Sequence, residues 1–223
     1  MPTARVARPR PALPDLVRDR WLWLLAHLVG LYPLALLVWR YTQHDLGVDP
    51  IRTINNITGR AAIILLGASL AATPIYIVSG YRKPLTVRRA LGLYAFFYAL
   101  LHFLAYAWLD MGFDAAQIAR DIPKRPFALV GFLALLLMLP LAATSFNRAI
   151  RALGAARWQA LHRAVYAIAV LAILHFFWMR AGKHDFAEVA VYAAIVAALL
   201  GWRALRLRRL RQAGQAPARA AAR

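Results

Sequence analysis

The chain has no cysteine, which excludes disulfides, iron–sulfur clusters and thioether-attached haem, so any haem it holds is bound non-covalently. Acidic residues are scarce, nine Asp and Glu against 28 Lys and Arg, for a formal charge of +19. No G-x-G-x-x-G run occurs, and 19 residues follow the last apolar stretch, which ends at Ala204. A nicotinamide-binding domain and direct hydride oxidation by this polypeptide are therefore not expected.

Apolar residues make up 62% of the chain and the mean hydropathy is +0.53. Several runs approach the twenty or so residues that cross a bilayer, so the chain reads as a polytopic membrane protein. The expected fold is an all-α integral membrane protein, a six-helix transmembrane bundle. The predicted spans are Trp21–Trp39, about Ala61–Ser79, Ala90–Leu109, Phe127–Ala143, Gln159–Met179 and Ala187–Ala204. Residues 1–20, with five arginines and four prolines, form a basic arm expected to lack regular structure. Residues 21–205 form the membrane domain and residues 206–223 a basic tail. The first span is too long for a signal-peptide core and no small-residue cleavage site follows it, so it is expected to stay as an anchor. Pro33, Pro74 and Pro140 fall inside spans and are read as kinks.

In a soluble protein a charge of +19 would suggest nucleic acid; in a membrane protein it is read by position. Six spans put both termini on one side. Twenty of the 28 basic residues fall on that side, whereas seven of the nine acidic residues fall on the other. By the positive-inside rule both termini are cytoplasmic, and no nucleic-acid partner is expected.

Histidines inside apolar runs carry the functional signal, since imidazole is costly in lipid and well suited to holding haem iron. His102 lies 13 residues beyond Arg89, and His175 lies 12 beyond Arg163. Each is thus about 18 to 20 Å from the inner edge at the helical rise. Two imidazoles at one depth on two neighbouring helices are what a six-coordinate b-type haem needs. His162 sits about 20 Å closer to the cytoplasm than His175, and the two side chains are some 140° apart on a straight helix. That pair shares a face only if the helix is locally distorted. Arg88, 14 residues before His102, could hold a haem propionate, a flavin phosphate or a quinone oxygen. His27 could contact a quinone or make an interhelical hydrogen bond. His44 and His184 belong to loops and are read as solvated. The tryptophans cluster at span ends as an aromatic belt.

Trp158, Leu161, His162, Arg163 and Tyr166, with His175 and the run RRALGLYAFFYALLH that ends at His102, resemble the ferric-reductase-like transmembrane domain superfamily. The stretches HLVGLYPL, LGVDPIRTINNITGRAAIILL and ATSF make the chain similar, more closely, to the haem-binding membrane subunits of bacterial protein-methionine-sulfoxide reductases, the YedZ family. The resemblance covers about residues 20–205. It implies a bacterial inner-membrane subunit that binds b-type haem and FMN. Such a subunit passes electrons from the respiratory chain, the quinone pool or a flavin donor to a periplasmic molybdopterin methionine sulfoxide reductase. By motif, His102 and His175 match the family's outer haem ligands, and His162 matches a third family histidine. Arg88 stands where dual-haem relatives carry a fourth histidine, so the pattern supports one haem.

The chain is thus expected to be a non-catalytic electron-transfer subunit, with metal ligands among His102, His175 and His162 and with Arg88 at a cofactor. Two other readings stay open: a stand-alone ferric or flavin reductase, and a non-redox scaffold whose histidines pack helices.

Overall fold

The computed structural model describes residues 13–182 and 184–220; the first twelve residues of the basic arm lie outside them. Among the described residues nine α-helices run in order: α1 Leu13–Thr42, α2 Pro50–Ser79, α3 Lys83–Ala105, α4 Ala115–Asp121, α5 Pro126–Ala143, α6 Asn147–Leu153, α7 Ala155–His162, α8 Ala164–Ala181 and α9 Ala187–Ala220. A π-turn at Tyr106–Asp110 extends α3, and no strand occurs among the described residues. Among the described residues six helical stretches, α7 and α8 together forming one, are long and apolar enough to cross a membrane. The chain is a multi-pass membrane protein. The end of the bundle where the chain enters is called here the near end, and the other the far end.

The helices pack as two antiparallel pairs, α2 with α3 and α5 with α8. The pairs meet through α3 and α5, while α1 lies on α3 and α9 lies against α8 and α2. α3 and α8, which carry the paired histidines, therefore stand diagonally across the bundle, a relation the sequence left open. Direct neighbours lie about 8 to 10 Å apart, axis to axis, and leave little room for a large planar group between them.

The second span begins well before the expected Ala61. Asp49 caps α2 by accepting the Arg52 amide at 2.9 Å, and Pro50 occupies its first turn, where a missing N–H is harmless. Residues 50–60 are polar enough to escape a hydropathy window because Arg52, Asn55, Asn56 and Arg60 line an internal cavity. α2 stops at Gly80, whose φ of 71° returns its N–H to the Tyr76 carbonyl. Other boundaries shift too: α1 starts at Leu13, so residues 13–20 are helical, and α9 carries helix through the expected tail to Ala220.

The prolines do not break their helices. At Pro33, α1 lacks a backbone donor, and one turn of its ladder is mended by α3. The hydroxyl of Tyr98, a fully buried residue, donates to the Gly30 carbonyl at 2.6 Å and accepts from the Leu34 amide at 3.1 Å. It thus stands between two groups that would bond each other in an unbroken helix. A Cβ on Gly30 would lie 2.5 Å from the Tyr94 ring, so glycine lets the two helices close. His27 Nδ1 and Tyr94 Oη share a 2.8 Å hydrogen bond beside it, the interhelical role for that histidine.

Candidate metal centre

Tyr94, Tyr98 and His102 follow one another at intervals of four on α3, a stripe that drifts by about 40° per step. The two tyrosines face α1, and by His102 the stripe has turned onto α2. The Nδ1–H of His102 donates to the Asn55 carbonyl at 3.0 Å, with the hydroxyl of Thr58 3.4 Å away. Thr58, 1% exposed, gives its own proton to the Ile54 carbonyl at 2.8 Å. On the opposite wall the Nδ1–H of His175 donates to the Phe127 carbonyl of α5 at 2.7 Å. A carbonyl only accepts, so Nδ1 carries the proton in both rings, and a neutral imidazole then presents its lone pair at Nε2.

The two rings face each other with centroids 6.0 Å apart and planes at 86°. A metal–imidazole nitrogen bond is about 2 Å, and with each centroid about 1 Å behind its nitrogen, one ion between the rings requires a separation of about 6 Å. Among the described residues no group of three or more His, Asp or Glu could hold a metal ion. Two axial nitrogens thus fit an ion that brings its remaining ligands with it, as haem iron does.

Space for such a group exists. A cavity of about 720 Å³ reaches both histidines, within the size range of about 300 to 1,000 Å³ usual for small-molecule and cofactor sites. Its deep walls are apolar, including Leu66, Ala99, Leu135, Met138 and Ile168, and Phe103 and Phe176 also line it. Its far-end rim is polar and carries four arginines, Arg52, Arg60, Arg125 and Arg180. An amphiphilic macrocycle with two carboxylates suits this gradient, ring inward and carboxylates at the rim.

Three of those arginines, Arg60, Arg180 and Arg125, are already engaged. Arg60 forks onto Glu188 of α9 at 2.5 and 2.7 Å, Arg180 meets the same carboxylate at 3.1 Å, and Arg180 also reaches Asp185 at 3.1 Å. The bridge ties α9 to α2 over the cavity. At the π-turn, Tyr106 donates to Asp121 at 2.8 Å and Arg125 pairs with the same residue at 3.0 Å.

The other two expected site residues lie elsewhere. Arg88 and His162 are near-end residues outside the cavity lining, within electrostatic reach of one another. The helix carrying His162 is distorted: at Arg163 the ladder tightens to an i→i+3 bond, Tyr166 N to Arg163 O at 3.1 Å, dividing α7 from α8. The distortion does not bring His162 to His175. Its Nδ1–H returns to the Trp158 carbonyl of its own helix at 3.1 Å, its ring stacks on Trp158, and its Nε2 is buried without a partner. Trp158 donates to the Thr144 carbonyl at 2.9 Å, a packing role beyond an aromatic belt. The Arg88 guanidinium donates to the Thr73 hydroxyl at 3.3 Å, and no carboxylate pairs with it among the described residues. His44 and His184 are exposed loop residues, as expected.

The sequence reading missed Asn55, Phe127, Arg60, Arg180 and Glu188. The first two act through main-chain oxygens, which leave no residue-type signal. The polar run Arg52–Arg60 ahead of an apolar stretch was a visible hint that α2 has a wet face.

A family model described as a ferric reductase like transmembrane component matches residues 58–173. His102 and His162 fall inside that match and His175 lies just beyond it. A protein of Polaromonas naphthalenivorans named protein-methionine-sulfoxide reductase heme-binding subunit MsrQ is 54% identical over 179 residues, 80% of this chain and 82% of its own. Proteins of the same name from Ralstonia nicotianae and Rhodospirillum rubrum are 49% and 44% identical. They cover 81% and 90% of this chain, and 82% and 95% of their own. No solved structure matches the chain significantly.

Proposed function

The chain belongs to the ferric-reductase-like transmembrane component family and, within it, to the MsrQ haem-binding subunits, and from that premise we propose that it is the membrane electron-transfer subunit of a bacterial protein-methionine-sulfoxide reductase, with b-type haem held between His102 and His175. One observation carries the ligand assignment. Two imidazoles from diagonal helices face each other at 6.0 Å, each with Nδ1 tied to a foreign carbonyl.

A bound haem supplies one-electron iron chemistry that no side chain of this protein offers. The protein does the rest. His102 and His175 present Nε2, and the Asn55 and Phe127 carbonyls hold the ring orientation and raise ligand basicity. Apolar walls keep water from the metal, and the arginine rim attracts carboxylates. In this reading the far end faces the periplasm and docks a molybdopterin methionine sulfoxide reductase. The near end faces the cytoplasm of a bacterial inner membrane, as the distribution of basic residues supports. Arg88, a cation without a carboxylate partner among the described residues, and His162 mark the near-end entry for a quinone or flavin donor, where Arg88 suits an FMN phosphate.

The test is a reduced-minus-oxidised visible spectrum with pyridine-haemochrome quantification on the purified wild type and on His102→Ala, His162→Ala and His175→Ala. Low-spin b-type bands lost in the first and third variants are the expected outcome. A colourless wild type from haem-replete cells would sink the assignment.

A further inference from the structure

The two histidines are held by the same local device, built twice. Gly59 follows Asn55, whose carbonyl accepts from His102, by four residues on α2, and Gly131 follows Phe127, whose carbonyl accepts from His175, by four on α5. A Cβ built on Gly59 would lie 3.2 Å from His102 Cε1 and 3.3 Å from its Nδ1. One built on Gly131 would lie 2.6 Å from His175 Nδ1 and 2.9 Å from its Cε1. Each imidazole therefore brings its Nδ1–Cε1 edge up against bare helix backbone.

Helix geometry explains the spacing. A helical side chain leans toward the N-terminus and covers the turn before its own Cα. A side chain at 59 or 131 would cover the patch where the carbonyl of 55 or 127 emerges, and removing it opens that oxygen's second lone pair to a ring from another helix. Glycine is the poorest helix former after proline, so its place here needs a reason beyond propensity. Gly67, two turns further along α2, has nothing within 4 Å of its Cβ position and so has no such contact.

We infer that Gly59 and Gly131 are positioning residues of the haem site, holding His102 and His175 in the ring plane and tautomer that present Nε2 to the metal. This rests on the haem reading above. Contact distances rank the two: at 2.6 Å something must move, whereas at 3.2 Å a shift of a few tenths of an ångström suffices.

The experiment compares Gly131→Ala, Gly59→Ala and the control Gly67→Ala as full-length purified proteins, by visible and electron paramagnetic resonance spectra and redox titration. Perpendicular axial imidazoles leave two iron orbitals nearly degenerate and give a strongly anisotropic low-spin resonance. Turning either ring lowers that anisotropy. Gly131→Ala is expected to lose the low-spin signature and retain haem about 10- to 100-fold less tightly, the scale for removing a partner of a metal-ligating histidine. Gly59→Ala is expected to keep its haem with reduced anisotropy and a more positive potential, because a weaker hydrogen bond makes the imidazole a poorer donor to ferric iron. Gly67→Ala should match wild type. If Gly131→Ala fails to accumulate, Gly59→Ala decides. Spectra and potentials of Gly59→Ala and any folded Gly131→Ala identical to those of Gly67→Ala overturn the inference while leaving the haem reading intact. A wild type without haem defeats both, before any glycine is changed.

Discussion

The far and near ends of this bundle each hold histidine and arginine in a membrane-spanning helix, yet they differ in what the imidazole is tied to. At the far end His102 and His175 bond carbonyls of other helices and converge across a cavity. At the near end His162 bonds the carbonyl one turn back on its own helix and stacks on Trp158. A ring tied to a foreign backbone is aimed by the tertiary structure, whereas a ring tied to its own helix stays against it. The arginines differ as well. Arg60 and Arg180 share Glu188, while the Arg88 guanidinium donates to a threonine hydroxyl and pairs with no carboxylate among the described residues.

The widest separation of the two ends should come from the histidines themselves. His175→Ala and His102→Ala are expected to abolish six-coordinate haem, with His162→Ala keeping the wild-type far-end spectrum. Loss of the spectrum in His162→Ala would break the distinction.

Next in size is Tyr98→Phe, one turn before His102. It removes one hydroxyl that serves two α1 backbone groups, leaving them unpaired in a buried site. A loss of about 1 to 3 kcal/mol in detergent-solubilised stability is expected. Unchanged thermal unfolding would mean that α1 is anchored without this bond.

Glu188→Gln probes the rim. It keeps the shape but weakens the shared contact with Arg60 and Arg180. Because Arg60 is 42% exposed and Glu188 27%, the expected destabilisation is only about 1 kcal/mol. Full haem occupancy with a small drop in melting temperature is the anticipated result; loss of haem would show that α9 helps close the cavity.

The smallest effect is expected from Arg88→Gln on far-end haem content, which should not change. Electron entry from a quinol or reduced flavin should slow, and equal rates would remove Arg88 from the entry site.

Much of this was legible in the sequence because a bilayer reads local composition. Apolar runs near twenty residues, proline tolerance and histidines at matching depth are properties of single helices. The boundary of α2 was missed for the complementary reason: Arg52, Asn55, Asn56 and Arg60 face a cavity inside the protein, and a hydropathy average counts them as loop. By itself, then, the sequence determined six crossings and the depth of His102 and His175. Only the tertiary structure decided that α3 and α8 stand diagonally, that the Asn55 and Phe127 carbonyls orient the rings, and that His162 is left out. Main-chain oxygens are the same at every residue, so which of them meets an imidazole depends on how helices pack.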